Sequence, residues 1–497
     1  MVSSVGDQDR QVVRDLVSGE RRTDQVKALY TLAGEADYHD REAIPMLIEI
    51  LEGNPYFRGR SFIKPALSAL ARIDPTDERI VEALVSIEFP PWSSVEIVGY
   101  ATINLIGPRD PRLVEKCVNY VRLYPSLFES RSGFHIHTGP IQAIGYVERF
   151  FRQLGPEHRD AAPLFLPLLR EFPEESGAVS VAGKALSLIE ASDLLTEEDV
   201  TTLLSHLRSN NDGAVDLLSQ SHRFAGTILS VAREMLEQRN QPQKMTHAAT
   251  GLRIIESLGS FAPAEVTPTL EGILRSLDPL ADRYYLRYCE ALIKTDPTSS
   301  FAIQSLKTYL ETTKGKREFS HGRPTVHSLL ARYGHEVDKN ITALAKLFEE
   351  SISQPQESAQ IARLILQHPD AEGELRRTAI EHIIQLQLEA DPHGSAAVIS
   401  APGLRQLLPT EREWEPKIRE CVSRVWRHES SRRTSAPGYP LNSGIPSSHH
   451  LITLASALAA LPHHSPKSEA LLQQIQEGPD YLLNRIVSRS FAQDAER

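Results

Sequence analysis

The chain has 497 residues, 41% hydrophobic and 24% charged, a folded composition spread over more length than the ~250–300 residues at which single cores stop growing. Its net charge of -11 excludes a global attraction to polyanions, so a nucleic-acid site would have to be a local basic patch. Residues 1–22 hold no continuous apolar core of the signal-peptide kind, and no stretch approaches the ~20 apolar residues that span a bilayer. No membrane insertion and a cytoplasmic location are therefore expected. Cys117, Cys289 and Cys421 lie far apart with no Cys-x-x-Cys spacing, as buried thiols in a reducing compartment would.

From the N-terminus, Ile44, Leu47, Ile48 and Leu51 stand at the spacing that lines one face of a helix. The period returns at Ile63, Ala66, Leu67, Leu70 and Ile73, at Ile80, Val81, Leu84 and Val85, and at Leu113, Cys117, Val118 and Val121. It recurs at Val200, Leu203, Leu204 and Leu207, and at Ile341, Ala345, Phe348 and Ile352. No alternating pattern of useful length intervenes, so the expectation is all-α. Helix starts are predicted at Asp74-Pro75, Asp110-Pro111, Asp278-Pro279 and Asp296-Pro297, where Asp can cap and Pro lacks only an N–H that would be unpaired. Ser93-Ser94-Val95-Glu96 and Thr410-Glu411-Arg412-Glu413 read as capping boxes, and Thr196 with Glu197 and Glu198 as a dipole-matched start.

The runs Ala28-Leu29-Tyr30-Thr31-Leu32, Ala69-Leu70-Ala71-Arg72-Ile73-Asp74-Pro75 and Ile103-Asn104-Leu105-Ile106-Gly107-Pro108 each end a helix, at separations near ~40 residues. With these runs, residues 23–312 resemble the HEAT/armadillo-like superfamily. The resemblance implies a right-handed solenoid of stacked antiparallel helix pairs, an α-α superhelix. Such arrays are mostly scaffolds for other proteins, with a minority that bind damaged DNA or attach bilins, and no residue set of that minority can be placed here. The expected divisions are a repeat array over 1–312, a less regular helical region over 313–429, a Ser/Pro/Gly-rich linker over 430–448 and a small helical cap over 449–497. Thr313 to Thr325, with Lys314, Lys316, Arg317, His321 and Arg323 around two glycines, reads as a basic loop, with helix resuming at Thr325.

Chemistry-bearing motifs are missing. No phosphate-binding glycine loop and no Gly-x-Ser-x-Gly elbow occurs. His335-Glu336 and His428-Glu429 lack the second histidine of a zinc-protease helix and read as solvated pairs, and His135-Ile136-His137 lacks a third ligand. His449-His450 and His463-His464 read as exposed loop. No cofactor, metal or catalytic residue is expected, which leaves a scaffold that binds another protein, with a nucleic-acid binder or an enzyme of unrecognised site as alternatives.

Candidate contact residues come from the turns within helix pairs. Gly53–Ser61, Phe89–Ser93 and Tyr124–Pro140 would share one edge, carrying Tyr56, Phe57, Arg58 and Arg60, then Phe89 and Trp92, then Phe128, Arg131, Phe134, His135 and His137. Trp, Tyr and Arg are the residues most enriched at binding hot spots. The competing reading is that aromatics in long turns staple them to the scaffold.

Overall fold

A computed structural model describes residues 77–89, 94–128, 139–209, 211–238, 245–280, 284–314, 322–368, 373–389, 414–434, 449–459 and 464–476, with isolated residues besides. Among them every regular element is helical. The chain divides into two units, one of residues 1–189, 425–448 and 469–497, the other of 190–424 and 449–468. Most of the first two expected helices lies outside the described residues, but Ile44, Leu47, Ala66, Leu67 and Leu70 are buried.

The first unit holds α1 (Glu78–Ser86), α2 (Ser94–Ile106), α3 (Pro111–Leu123), α4 (Gly139–Phe151), α5 (Ala162–Glu171) and α6 (Ser176–Leu188). Odd helices pack on odd ones, α1 on α3 and α3 on α5, and even on even, α2 on α4 and α4 on α6. The apolar period explains which face turns inward: Leu113, Val114, Cys117, Val118 and Val121 of α3 are all buried. Asp110 caps α3 as expected, accepting from the Arg112 amide at 2.8 Å with Pro111 in the first turn. Asp77 caps α1 in the same way through Arg79, while Asp74-Pro75 lies outside the described residues.

The second unit runs through α7 (Glu197–Leu207), α8 (Asp212–Leu218), α9 (Ala225–Glu237), α10 (Met245–Leu258), α11 (Pro263–Ser276), α12 (Tyr285–Thr295), α13 (Ser300–Thr312), α14 (Gly322–Arg332), α15 (Val337–Ser351), α16 (Pro355–Leu366) and α17 (Gly373–Glu389). It also contains α19 (His449–Ala459) and the starts of α18 (Glu415–Thr434) and α20 (Pro466–Gln476). Here too α8, α10, α12, α14 and α16 pack in succession, as do α9, α11 and α13. Thr196 caps α7 in a reciprocal box with Asp199, leaving Glu197 and Glu198 exposed in the first turn.

Ion pairs tie each layer. Arg208 meets Glu234 at 2.9 Å and Arg233 meets Glu265 at 3.9 Å; on the even helices Arg253 meets Asp212 at 2.9 Å and Asp216 at 3.1 Å, and Arg287 meets Glu256 at 3.5 Å. Largely exposed pairs contribute ~0–1 kcal/mol each, so they orient neighbours more than they stabilise them.

Several expectations shift. Asp278 and Asp296 start no helix: each turns back on the amide two residues on, Leu280 at 2.9 Å and Thr298 at 3.0 Å, and Ser299 caps α13 instead. Helix α14 opens at Gly322, three residues before the expected Thr325. Of the stripe expected at Ile341, Ala345, Phe348 and Ile352, Phe348 is buried as expected, while Ile341 and Ala345 are only half-buried. Asn340, Leu344, Phe348 and Ser351 are buried, and Ile352 is 48% exposed; Asn340 satisfies its amide inside the helix pair. Asn340-Ile341-Thr342 has the form of an N-glycosylation sequon, and its asparagine is buried. Helix α18 continues to Thr434, into the first residues of the expected linker, and 435–448 lie outside the described residues, as do Thr410–Glu413. His464 is half-buried and its Nε2 donates to the Leu458 carbonyl at 2.9 Å, so it is a packed side chain rather than exposed loop.

Candidate interaction site

All nine expected contact residues, Tyr56, Phe57, Arg58, Arg60, Trp92, Arg131, Phe134, His135 and His137, lie outside the described residues. The structure does describe an aromatic from each of the last two turns, Phe89 and Phe128, and brings both onto one cluster. Tyr120 of α3 stands at its centre, 4.4 Å from Tyr100, 5.0 Å from Tyr124 and 6.2 Å from Phe128 between ring centroids. Phe89 meets Tyr100 edge-on at 5.4 Å, and its ring lies on Gly99, where a Cβ would come within 2.4 Å of it. For Phe89 and Phe128 the stapling reading is therefore the one the geometry favours, with edge-to-face contacts adding ~0.5–1.5 kcal/mol each beyond burial.

Charge beneath these rings is handled locally. Lys116 lies over Phe89 at 4.7 Å and donates to the Val85 and Ile87 carbonyls at 3.1 and 2.6 Å, closing the C-terminal end of α1. Burial lowers the Lys116 ammonium from its ordinary range. Burial, then the nearby Cys117, Tyr120 and Glu96, pushes the Tyr100 phenol far up, and burial does the same to Tyr120 beside Glu96. Burial also lifts the Cys289 and Cys421 thiols to about 12 and Cys117 higher still. No thiolate is available for nucleophilic work from these three near neutrality.

A second edge, which the sequence did not reveal, lies in the other unit. Three short turns precede α7, α9 and α11: Ser192–Leu194, His222–Phe224 and Gly259–Phe261. The Ser192 hydroxyl donates to the Gln220 carbonyl at 3.1 Å, joining the first turn to the second. His222 stacks on Phe261 at 4.3 Å with planes 25° apart, joining the second to the third. Phe261 is 54% and Leu194 41% exposed, His222 and Arg223 are exposed, and the Arg223 guanidinium lies 5.1 Å over Phe224. Sequence reading missed this edge because it followed the turns Gly53–Ser61, Phe89–Ser93 and Tyr124–Pro140 alone, whereas here the stack joins residues 222 and 261, on separate later turns. Recurrence of a ring near the end of successive turns was the only available signal.

Of the pair His335-Glu336, Glu336 is exposed as expected and His335 is not. His335 is half-buried, and Glu336, at φ 48° in left-handed backbone, binds Lys307 at 2.5 Å and Lys339 at 2.6 Å, which hold its carboxyl down to about 2. Among the described residues no three His, Cys, Asp or Glu side chains group to hold a metal, and no helix is long and apolar enough to cross a membrane.

No family model matches the chain, and no curated protein does. One solved structure, from work on a phosphorylation switch controlling the interaction between cadherin and beta-catenin, is similar over 98% of this chain and 99% of its own. Its identity is 11% and its TM-score 0.33, too low to bear on fold or function.

Proposed function

We propose that this chain is a protein-interaction scaffold of the cytoplasm, a right-handed HEAT-like array of antiparallel helix pairs whose turns meet a protein partner. The observation that carries the reading is the alternation of packing, odd helix on odd and even on even, within each unit. Alternation of that kind places every second turn on one edge and repeats side chains along it, as an extended binding surface requires. Two edges are assigned to contact. One carries Tyr56, Phe57, Arg58, Arg60, Trp92, Arg131, Phe134, His135 and His137; the other carries Leu194, His222, Arg223 and Phe261. Domain limits near residues 312, 429 and 448 belong to the same reading.

Against nucleic acid stands the pairing of basic side chains on α10 and α12. Arg253, Arg287 and Lys294 each meet a carboxylate, Lys294 through Glu290 at 2.7 Å, so a phosphate there would have to displace an acid.

Cross-linking mass spectrometry of the full chain in extract of its source cells tests the proposal. Trp92→Ala with Arg131→Ala, and separately Phe261→Ala with Arg223→Glu, are expected to cut cross-links to one recurrent partner by about tenfold, the loss of a single hot spot. Melting should stay within a few degrees. Undiminished cross-linking in both variants sinks the edge assignment, and retention on heparin or single-stranded DNA at physiological salt would favour nucleic acid instead.

A further inference from the structure

Along the edge formed by the turns before α7, α9 and α11, one cation stands apart. Every other arginine and lysine described between residues 190 and 312 meets a carboxylate, from Arg208 with Glu234 to Lys307 with Glu336. Arg223, on the middle turn, is exposed and meets none among the described residues; its guanidinium lies over the Phe224 ring. Large apolar side chains flank it on the neighbouring turns, Leu194 on the first, 41% exposed, and Phe261 on the third, 54% exposed. Just past Arg223, α9 exposes Gly226, where a Cβ would meet nothing within 4 Å. No contact within the chain calls for glycine there, and the backbone of an incoming segment has room to approach.

Resting on the assignment of this edge to protein contact, we propose that it takes an extended segment of another protein with the pattern apolar-x-acidic-x-apolar, its carboxylate on Arg223 and its apolar side chains against Leu194 and Phe261. A guanidinium without a carboxylate of its own gains most from one supplied by a partner, and covering the flanking apolar side chains takes water away from the new pair and strengthens it. Packed helices stand ~8–10 Å apart, which puts the first and third turns ~16–20 Å from one another. In an extended chain, side chains two residues apart face the same way at ~6.6–6.8 Å, so the residues two before and two after the acid span ~13–14 Å and their side chains cover the rest.

Other charges along the edge fix where the acid sits. Asp193 on the first turn and Glu197 and Glu198 at the start of α7 are exposed and repel a carboxylate from that end. The third turn carries no charge, and Glu265, the acid that follows it, meets Arg233 at 3.9 Å. Across the three turns Arg223 is the one permanent cation. A single acid at the middle position is therefore complementary, whereas a nucleic-acid backbone would lay its phosphates against Asp193 and the two glutamates as well.

Selection of a displayed library of random nine-residue peptides on the full chain, followed by fluorescence anisotropy of the enriched peptides made synthetically, tests the occupant. Enriched peptides are expected to carry an aspartate or glutamate with a large apolar residue two positions to either side. Replacing that acid by its amide, or Arg223→Gln in the protein, should each raise Kd about tenfold, and the two together little more than either alone, since the contact is already lost. Phe261→Ala should weaken the same peptides about tenfold with the preference for acid over amide intact. Arg223 and Phe261 are exposed, so melting should stay within a few degrees in both variants. Enriched peptides that lack an acid yet lose affinity in Phe261→Ala overturn the acidic segment and leave the edge assigned to contact. Peptides indifferent to both variants overturn the assignment of this edge as well, and a library that yields none overturns the acidic segment while the cross-links decide the edge.

Discussion

Replacing Tyr120 by alanine is expected to destabilise the unit containing α1–α6 by about 3–5 kcal/mol, the cost of emptying a buried aromatic site. Tyr120 is nearly enclosed and touches Tyr100, Tyr124 and Phe128, so its removal opens a cavity bounded by three rings that belong to α2 and to the turn after α3. Tyr120→Phe keeps those ring contacts and loses only the phenolic oxygen beside Glu96, so it should cost no more than ~1.5 kcal/mol. Urea unfolding with exchange protection in α2–α4 separates the two variants. If Tyr120→Ala costs less than ~1 kcal/mol, the cluster does not hold its turn and Phe128 becomes free for a partner.

The second large effect is expected at Gly251, where α10 crosses α9. A Cβ there would sit 2.7 Å from the Ala232 carbonyl oxygen and 3.2 Å from the Met235 Cβ. The first obstacle is backbone, so no side-chain rotation relieves it and the helices must part. Alanine gains ~1 kcal/mol of helix propensity over glycine, against ~1–3 kcal/mol for overpacking. Gly251→Ala should therefore be near neutral to mildly destabilising. Gly251→Val adds branched bulk with little propensity gain, and is expected to cost ~2–3 kcal/mol or more. Gly226→Ala, where a Cβ would meet nothing within 4 Å, serves as the reference and should be neutral or stabilising in the same thermal unfolding series. A Gly251→Val protein as stable as that reference would mean α9 and α10 approach less closely than described.

Helical class and the inward faces of α1, α3 and α7 were legible because both depend on local spacing. A period of 3.6 residues places Leu113, Cys117 and Val121 on one stripe whatever the stripe later meets. Capping at Asp110 and Thr196 was legible for the same reason, since cap and amide lie within three residues. Where a local signal had two outcomes, the surroundings chose. Asp296-Pro297 could open a helix or close a turn, and Ser299 took the cap. The buried face of α15 runs through Leu344 and Phe348 but also takes in Asn340, which pairs with His327 and with backbone carbonyls, a partnership hydrophobicity does not encode.

Contacts between elements distant in sequence belonged to tertiary structure alone. The stack of His222 on Phe261, the gathering of Phe89 and Phe128 around the α2–α3 tyrosines, and the hydrogen bonds of His327 with Asn340 and of His382 with Ser358 each join side chains whose own neighbourhoods carry no mark of the partner. What the sequence by itself determined was the helices and much of their inward faces, because those follow from interactions within a turn or two of chain. Which exposed rings, ion pairs and histidines stand together was decided only when each helix packed on its neighbour and on the next but one, because those distances depend on crossing geometry and on residues as small as Gly251.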